Sequence, residues 1–147
     1  MSEIVTKITH QVMVPIGMRP SEAFASTGRV IYFYGGTTSS IPEFTFGASH
    51  NITYLHKPHD SHADKALLLC EENGLVPAHP ALVALDCIAR PSFTDLYESY
   101  TFWGVEDKFY YAFFGKAGRS RAITLCDERG LSSYLHPKDL WLATVPK

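Results

Sequence analysis

The sequence has little with which to cross-link itself or to grip nucleic acid. Its three cysteines, Cys70, Cys87 and Cys126, are odd in number, far apart and set in apolar runs. That excludes a disulfide framework and a Cys-x-x-Cys zinc site, and predicts buried thiols in a reducing compartment. Basic residues number 13 against 15 acidic ones and are scattered, the only cluster being Lys116, Arg119 and Arg121. Broad DNA or RNA binding needs a stripe of positive charge to displace counterions, and none is present. No apolar run approaches the roughly eighteen residues of a membrane span, and Met1–Lys7 lacks the apolar core of a signal peptide. A soluble, cytoplasmic protein without a membrane partner is therefore expected. There is no P-loop, no dinucleotide fingerprint, no His-Glu-x-x-His and no nucleophile elbow around Ser39, Ser40, Ser132 or Ser133.

What is present suits a folded domain. The 147 residues are 46% hydrophobic, and a single domain over 1–147 of this size buries roughly 70% of its unfolded surface. Eight tyrosines and nine phenylalanines favour sheets, on whose pleated faces flat rings pack well. The predicted class is strand-rich α+β: two short mixed or antiparallel sheets, one main helix over about 61–73, and one or two short helices.

Local patterns supply the elements. Gln11–Pro15 reads as a short edge strand, Ser21–Ala25 as a helical turn, and Arg29–Tyr34 as a strand stopped by Gly35-Gly36-Thr37-Thr38-Ser39-Ser40. Phe44–Phe46 and Ile52–Leu55 are further extended pieces. Ser61 and Asp64 stand at capping-box spacing, Ala63, Ala66, Leu67 and Cys70 form one apolar stripe, and Gly74 suits the helix end. Ala81–Ala89, apolar on both alternating faces and closed by Pro91, is predicted to be a buried strand. A short helix over Ser92–Ser99 follows, then a hairpin pairing Tyr100–Val105 with Phe109–Phe114. Gly115–Gly118 turns into a strand at Arg121–Cys126; Leu131–His136 reads as a short helix and Leu140–Val145 as a last strand.

The densest local signal is His56-Lys-Pro-His59-Asp-Ser-His62-Ala-Asp64. Imidazoles and carboxylates together suggest a metal, and a metal-dependent hydrolase at His56, His59 and His62 is one reading. The spacing does not favour it. Pro58 pushes Lys57 to extended backbone, where residues three apart lie about 9 Å from one another at ~3.1 Å per residue. His62 would also sit at a helix N-terminus, whose dipole opposes a cation. No metal is predicted. His10, His79 and His136 have no sequence neighbour that gives them a role.

Reading outward from the cluster, Ile31-Tyr-Phe-Tyr34-Gly35-Gly36-Thr37 resembles the first strand of the ADP-ribosyltransferases. Phe46-Gly47, Ile52-Thr-Tyr54-Leu and the Ala63/Ala66 helix resemble their second block, and Arg121–Leu135 the late strand and short helix of small bacterial members. The order holds over about residues 29–136. The resemblance implies binding of NAD or an ADP-ribose-like nucleotide. Gly35, Gly36 and Thr37 would then line the nicotinamide-ribose end, Tyr54 would stack, and His56 would touch the ligand from the polar rim. Two positions depart from the family. Tyr34 stands where it has His or Arg, and no glutamate lies at Ser120 or Arg121, which leaves Glu98 or Glu106 to supply the carboxylate if its loop folds back. The implied enzyme is one with Tyr34, Tyr54 and Glu98 at its centre, or a degenerate form that binds without turnover.

The rival reading is a non-enzymatic protein-binding or inhibitor module, such as a homodimer. It would use an exposed aromatic face of the hairpin 100–114, with Trp103 and Tyr111 as anchors.

Overall fold

A computed structural model describes residues 5–34, 41, 49–56, 63–105, 107–117, 120–127 and 140–147, with the backbone alone at 33, 34, 63, 64 and 117. The class is strand-rich α+β, as expected. Among the described residues, however, the eight strands form one sheet in place of two. In chain order the elements are β1 (Thr6–Met13), α1 (Pro20–Ser26), β2 (Val30–Tyr34), β3 (Ser49–His56), α2 (Ala63–Glu72), β4 (Leu75–Pro77), α3 (Pro80–Ala89), α4 (Pro91–Leu96), β5 (Ser99–Val105), β6 (Lys108–Ala117), β7 (Ser120–Asp127) and β8 (Trp141–Pro146). Across the sheet the strands run β1-β3-β8-β5-β6-β7-β2, with β4 added on β8. The β5–β8 and β2–β7 pairs are parallel, and the remaining neighbours are antiparallel.

Strand alternation sorts the core into two layers. Val12, Ile52, Tyr54, Trp103, Phe114, Ile123 and Trp141 pack with Phe24 of α1 and the apolar residues of α3. Leu55, Tyr100, Phe102, Tyr111, Phe113 and Leu142 pack on the other side with Ala66, Leu69 and Cys70 of α2. The sheet is thus covered by α1 and α3 on one face and by α2 on the other.

Ala81–Ala89 is helix where a strand was expected. Pro80 occupies the first helical turn, and the His79 ring accepts a hydrogen bond from the Ala81 backbone N–H at 3.1 Å. Proline's fixed φ and a side-chain acceptor are both helix-starting features. The segment is apolar all round because α3 is buried from Pro80 to Cys87, and a helix enclosed on every side shows the same pattern as a central strand.

Other expectations met the structure closely. The edge strand at Gln11 is real and begins earlier, at Thr6; the hairpin forms as expected, with Trp103 opposite Tyr110, although Lys108 pairs with Val105 and so belongs to β6 and not to the turn. Gly74 takes φ +69°, the left-handed conformation that ends α2. All three cysteines are free and buried. Gly115 and Lys116 belong to β6 and not to a turn, and β4 was not anticipated. The Gly35–Ser40 turn, the Phe44–Phe46 piece, the Ser61 cap and the Leu131–His136 helix lie outside the described residues.

Candidate functional site

At the end of β3 the half-buried His56 ring lies on Trp141, the first residue of β8, with centroids 4.6 Å apart and planes 19° from parallel. Tyr97 meets the same indole edge-on at 5.2 Å. Backbone geometry sets these rings side by side. The Trp141 N–H donates to the Glu98 carbonyl at 2.9 Å, and Ser99 and Trp141 are partners in the parallel β5–β8 pair. α4 ends at Leu96, whose exposed side chain and that of Tyr97 form an apolar lip.

These groups border an open cleft of about 510 Å³, which Asp95, Glu98 and Lys116 complete. Its size falls within the roughly 300–1,000 Å³ of small-molecule sites. Asp95 is already engaged, accepting from Nη2 of Arg121 at 2.5 Å through Oδ2. Its Oδ1 is buried without a hydrogen-bond partner, a condition that calls for a donor from water or a ligand. Glu98 and Lys116 take part in no ion pair among the described residues. Glu98 also depends on a glycine. A methyl group placed at Gly115 would stand 2.9 Å from Cγ and Cδ of Glu98, so the absent side chain on β6 gives the Glu98 side chain its berth.

The cleft brings together two residues singled out from the sequence, His56 and Glu98, and separates others. Tyr54 is fully buried, and its hydroxyl donates to Oδ2 of Asp86 at 2.6 Å. It presents no ring face for a ligand to stack on. Tyr34 ends β2, five strands away from β3 in the sheet order. At about 4.8 Å per strand that is about 24 Å, so the ends of these two strands are not neighbours, as the expected site required. Gly35, Gly36 and Thr37 lie outside the described residues, as do Glu106, His59 and His62. Among the described residues, no three His, Cys, Asp or Glu side chains are grouped to hold a metal.

The rival surface is not available either. Trp103 and Tyr111 are buried, as are Tyr100, Phe102, Phe113 and Phe114. These aromatics fall in the two core layers, Trp103 and Phe114 in one and Tyr100, Phe102, Tyr111 and Phe113 in the other.

Beside the cleft lies a buried polar cluster that sequence reading missed. Asp86 of α3 is completely buried and receives, besides Tyr54, Nη1 of Arg90 at 2.8 Å on Oδ1. His10 of β1 places Nδ1 2.9 Å from Oδ2. Burial, and then the Asp86 carboxylate, holds the Tyr54 phenol well above its ordinary pKa. Phe93 of α4 joins the two regions: its ring meets His10 at 4.5 Å and Trp141 at 6.3 Å. A single acid inside an otherwise apolar run, with Arg90 four residues on, was the available signal. For Trp141 and Lys116 there was no comparable one.

Cys87 and Cys70 have thiol pKa values pushed up to about 11 by burial, which removes them as neutral-pH nucleophiles. No family model, curated protein or solved structure matches the chain. No helix among the described residues is long and apolar enough to cross a membrane.

Proposed function

We propose that the cleft between β3, β8 and the end of α4 binds a nucleotide of the NAD or ADP-ribose kind. The observation that carries it is the convergence of His56 and Glu98, far apart in sequence, on one opening floored by Trp141. The aromatic lining suits a planar base or nicotinamide ring, since every such ring has a face to offer to Tyr97 or His56. Lys116 supplies positive charge for a phosphate, and Glu98 accepts hydroxyl or amide donors. The site differs from the one the resemblance implied, because the buried Tyr54 takes no part in it.

Calorimetric titration with NAD and with ADP-ribose tests this, with nicotinamide release followed in parallel to detect turnover. Saturable binding is expected. It should weaken about tenfold in Glu98→Gln or Lys116→Ala, the cost of losing one charge-assisted hydrogen bond. No binding of either compound would remove the proposal.

A further inference from the structure

The charges around the cleft are sorted by depth. Asp95 and Glu98 are half-buried, whereas Lys116, and Arg121 at the border, are exposed. Nη2 of Arg121 holds Oδ2 of Asp95, while the buried Oδ1 has no hydrogen-bond partner among the described residues. Exposed charges are screened by water and salt far more than those set against low-dielectric walls. The interior of the cleft is therefore negative, although carboxylates and cations are equal in number. Rings add to that field. Tyr97 and Trp141 meet edge-on, with centroids 5.2 Å apart and planes at 65°, and make a corner of the same opening. Trp141 is 6% exposed and Tyr97 39%, so Tyr97 offers the larger surface. The face of an aromatic ring carries the negative part of its quadrupole and attracts cations.

We infer that the inner part of the cleft takes a planar aromatic cation of the N-alkylpyridinium class. The inference rests on the nucleotide reading of the cleft and sharpens it. The oxidised nicotinamide end of NAD enters, and the phosphates stay outside, at the exposed Lys116. The pyridinium ring lies on Tyr97 with its charge toward Glu98, whose carboxylate keeps its place because Gly115 has no Cβ. The carboxamide N–H donates to Oδ1 of Asp95, the buried acceptor that lacks a partner. Adenine offers a ring face and an N–H donor but no charge. Dihydronicotinamide, the reduced ring, loses both the charge and the planarity. The site binds this cation, and no bond is made or broken in doing so.

Calorimetric titrations of the full chain with oxidised NAD, NADH, ADP-ribose, 1-methylnicotinamide and nicotinamide test the inference. Oxidised NAD should bind about tenfold more tightly than NADH, the worth of one partly desolvated cation–π contact. 1-Methylnicotinamide, which has the charge but no phosphate, should bind saturably and compete with oxidised NAD. Neutral nicotinamide should bind about tenfold more weakly than its methylated form. Glu98→Gln and Tyr97→Leu should each bring the ratio of NAD to NADH affinity toward one, a readout that general destabilisation does not move. Equal affinity for the two oxidation states would overturn the inference; if ADP-ribose then bound as well as both, the nucleotide reading would stand without it. Binding of 1-methylnicotinamide without NAD, NADH or ADP-ribose would support the cation site and remove the nucleotide reading. A ratio unchanged in both variants would overturn the inference, because Glu98 and Tyr97 would not be its source.

Discussion

The imidazole of His56 and the indole of Trp141 lie nearly parallel, 4.6 Å apart, although 85 positions separate them in the chain. That stack forms because β3 and β8 are antiparallel neighbours, with Leu55 opposite Leu142. It makes Trp141 both a core residue and the floor of the cleft. Trp141→Ala should therefore cost about 3–5 kcal/mol of stability, as for any buried Trp truncated to Ala. His56→Ala, at a half-buried position, should lower affinity for ADP-ribose while shifting the thermal midpoint little. Denaturant melts and calorimetry on the two variants separate these effects; equal destabilisation in both would show that His56 is only packing.

Gly115 and Glu98 form a second dependent pair, since a Cβ at Gly115 would meet Cγ and Cδ of Glu98 at 2.9 Å. Gly115→Ala should displace the carboxylate and weaken nucleotide binding nearly as much as Glu98→Ala does. The double variant should bind no worse than Glu98→Ala alone, because both act through one group. Additive losses in such a cycle would mean that Gly115 serves the cleft by some other route.

Asp86 bonds to His10 of β1, Tyr54 of β3 and Arg90 just beyond its own helix, so its removal reaches well beyond α3. Asp86→Ala strands the buried Tyr54 hydroxyl, at about 1–3 kcal/mol for an unsatisfied buried donor. Arg90 is 36% exposed, so water replaces much of what it loses and its share is small. Adding Tyr54→Phe to Asp86→Ala should recover part of the loss in urea melts. No recovery would place the main cost in the cavity instead.

Much of this framework was legible in the sequence, and what was not has a common cause. The hairpin, β2, α2 and the Gly74 terminus follow from near neighbours: alternating aromatics, a β-branched run, a helical stripe and a glycine. Ala81–Ala89 misled because burial on all sides erases the difference between strand and helix periodicity. Glu98 beside Trp141, and His10 beside Asp86, arise from pairings between segments 43 and 76 residues apart. No local pattern encodes them. Tyr54 was legible as a strand aromatic, but its direction was not; it points into the core toward Asp86.

Alkaline pH should expose the buried acids. Cys70 and Cys87 carry thiol pKa values raised from 9.0 to about 11 by burial, and Tyr54 is raised above its value of 10.0. Between pH 9 and 11 the unfolded chain releases thiol protons that the folded chain retains, so stability falls as pH rises through that window. Tyr54 extends the decline above pH 10. The contribution is intact below pH 9. Urea midpoints measured from pH 7 to 11 should drop above pH 9, and less so in Cys70→Ala/Cys87→Ala; an identical profile in that variant would contradict the assignment.

The most direct test of the cleft uses its floor. The chain has two tryptophans, Trp103 and Trp141, so a nitrogen-15 spectrum should carry two indole N–H signals, assignable with Trp141→Phe. Addition of ADP-ribose should shift the Trp141 signal saturably and leave that of Trp103, packed against Tyr110, nearly unmoved. An unchanged Trp141 signal at millimolar ADP-ribose and NAD, or a shift confined to Trp103, would contradict nucleotide binding at this site.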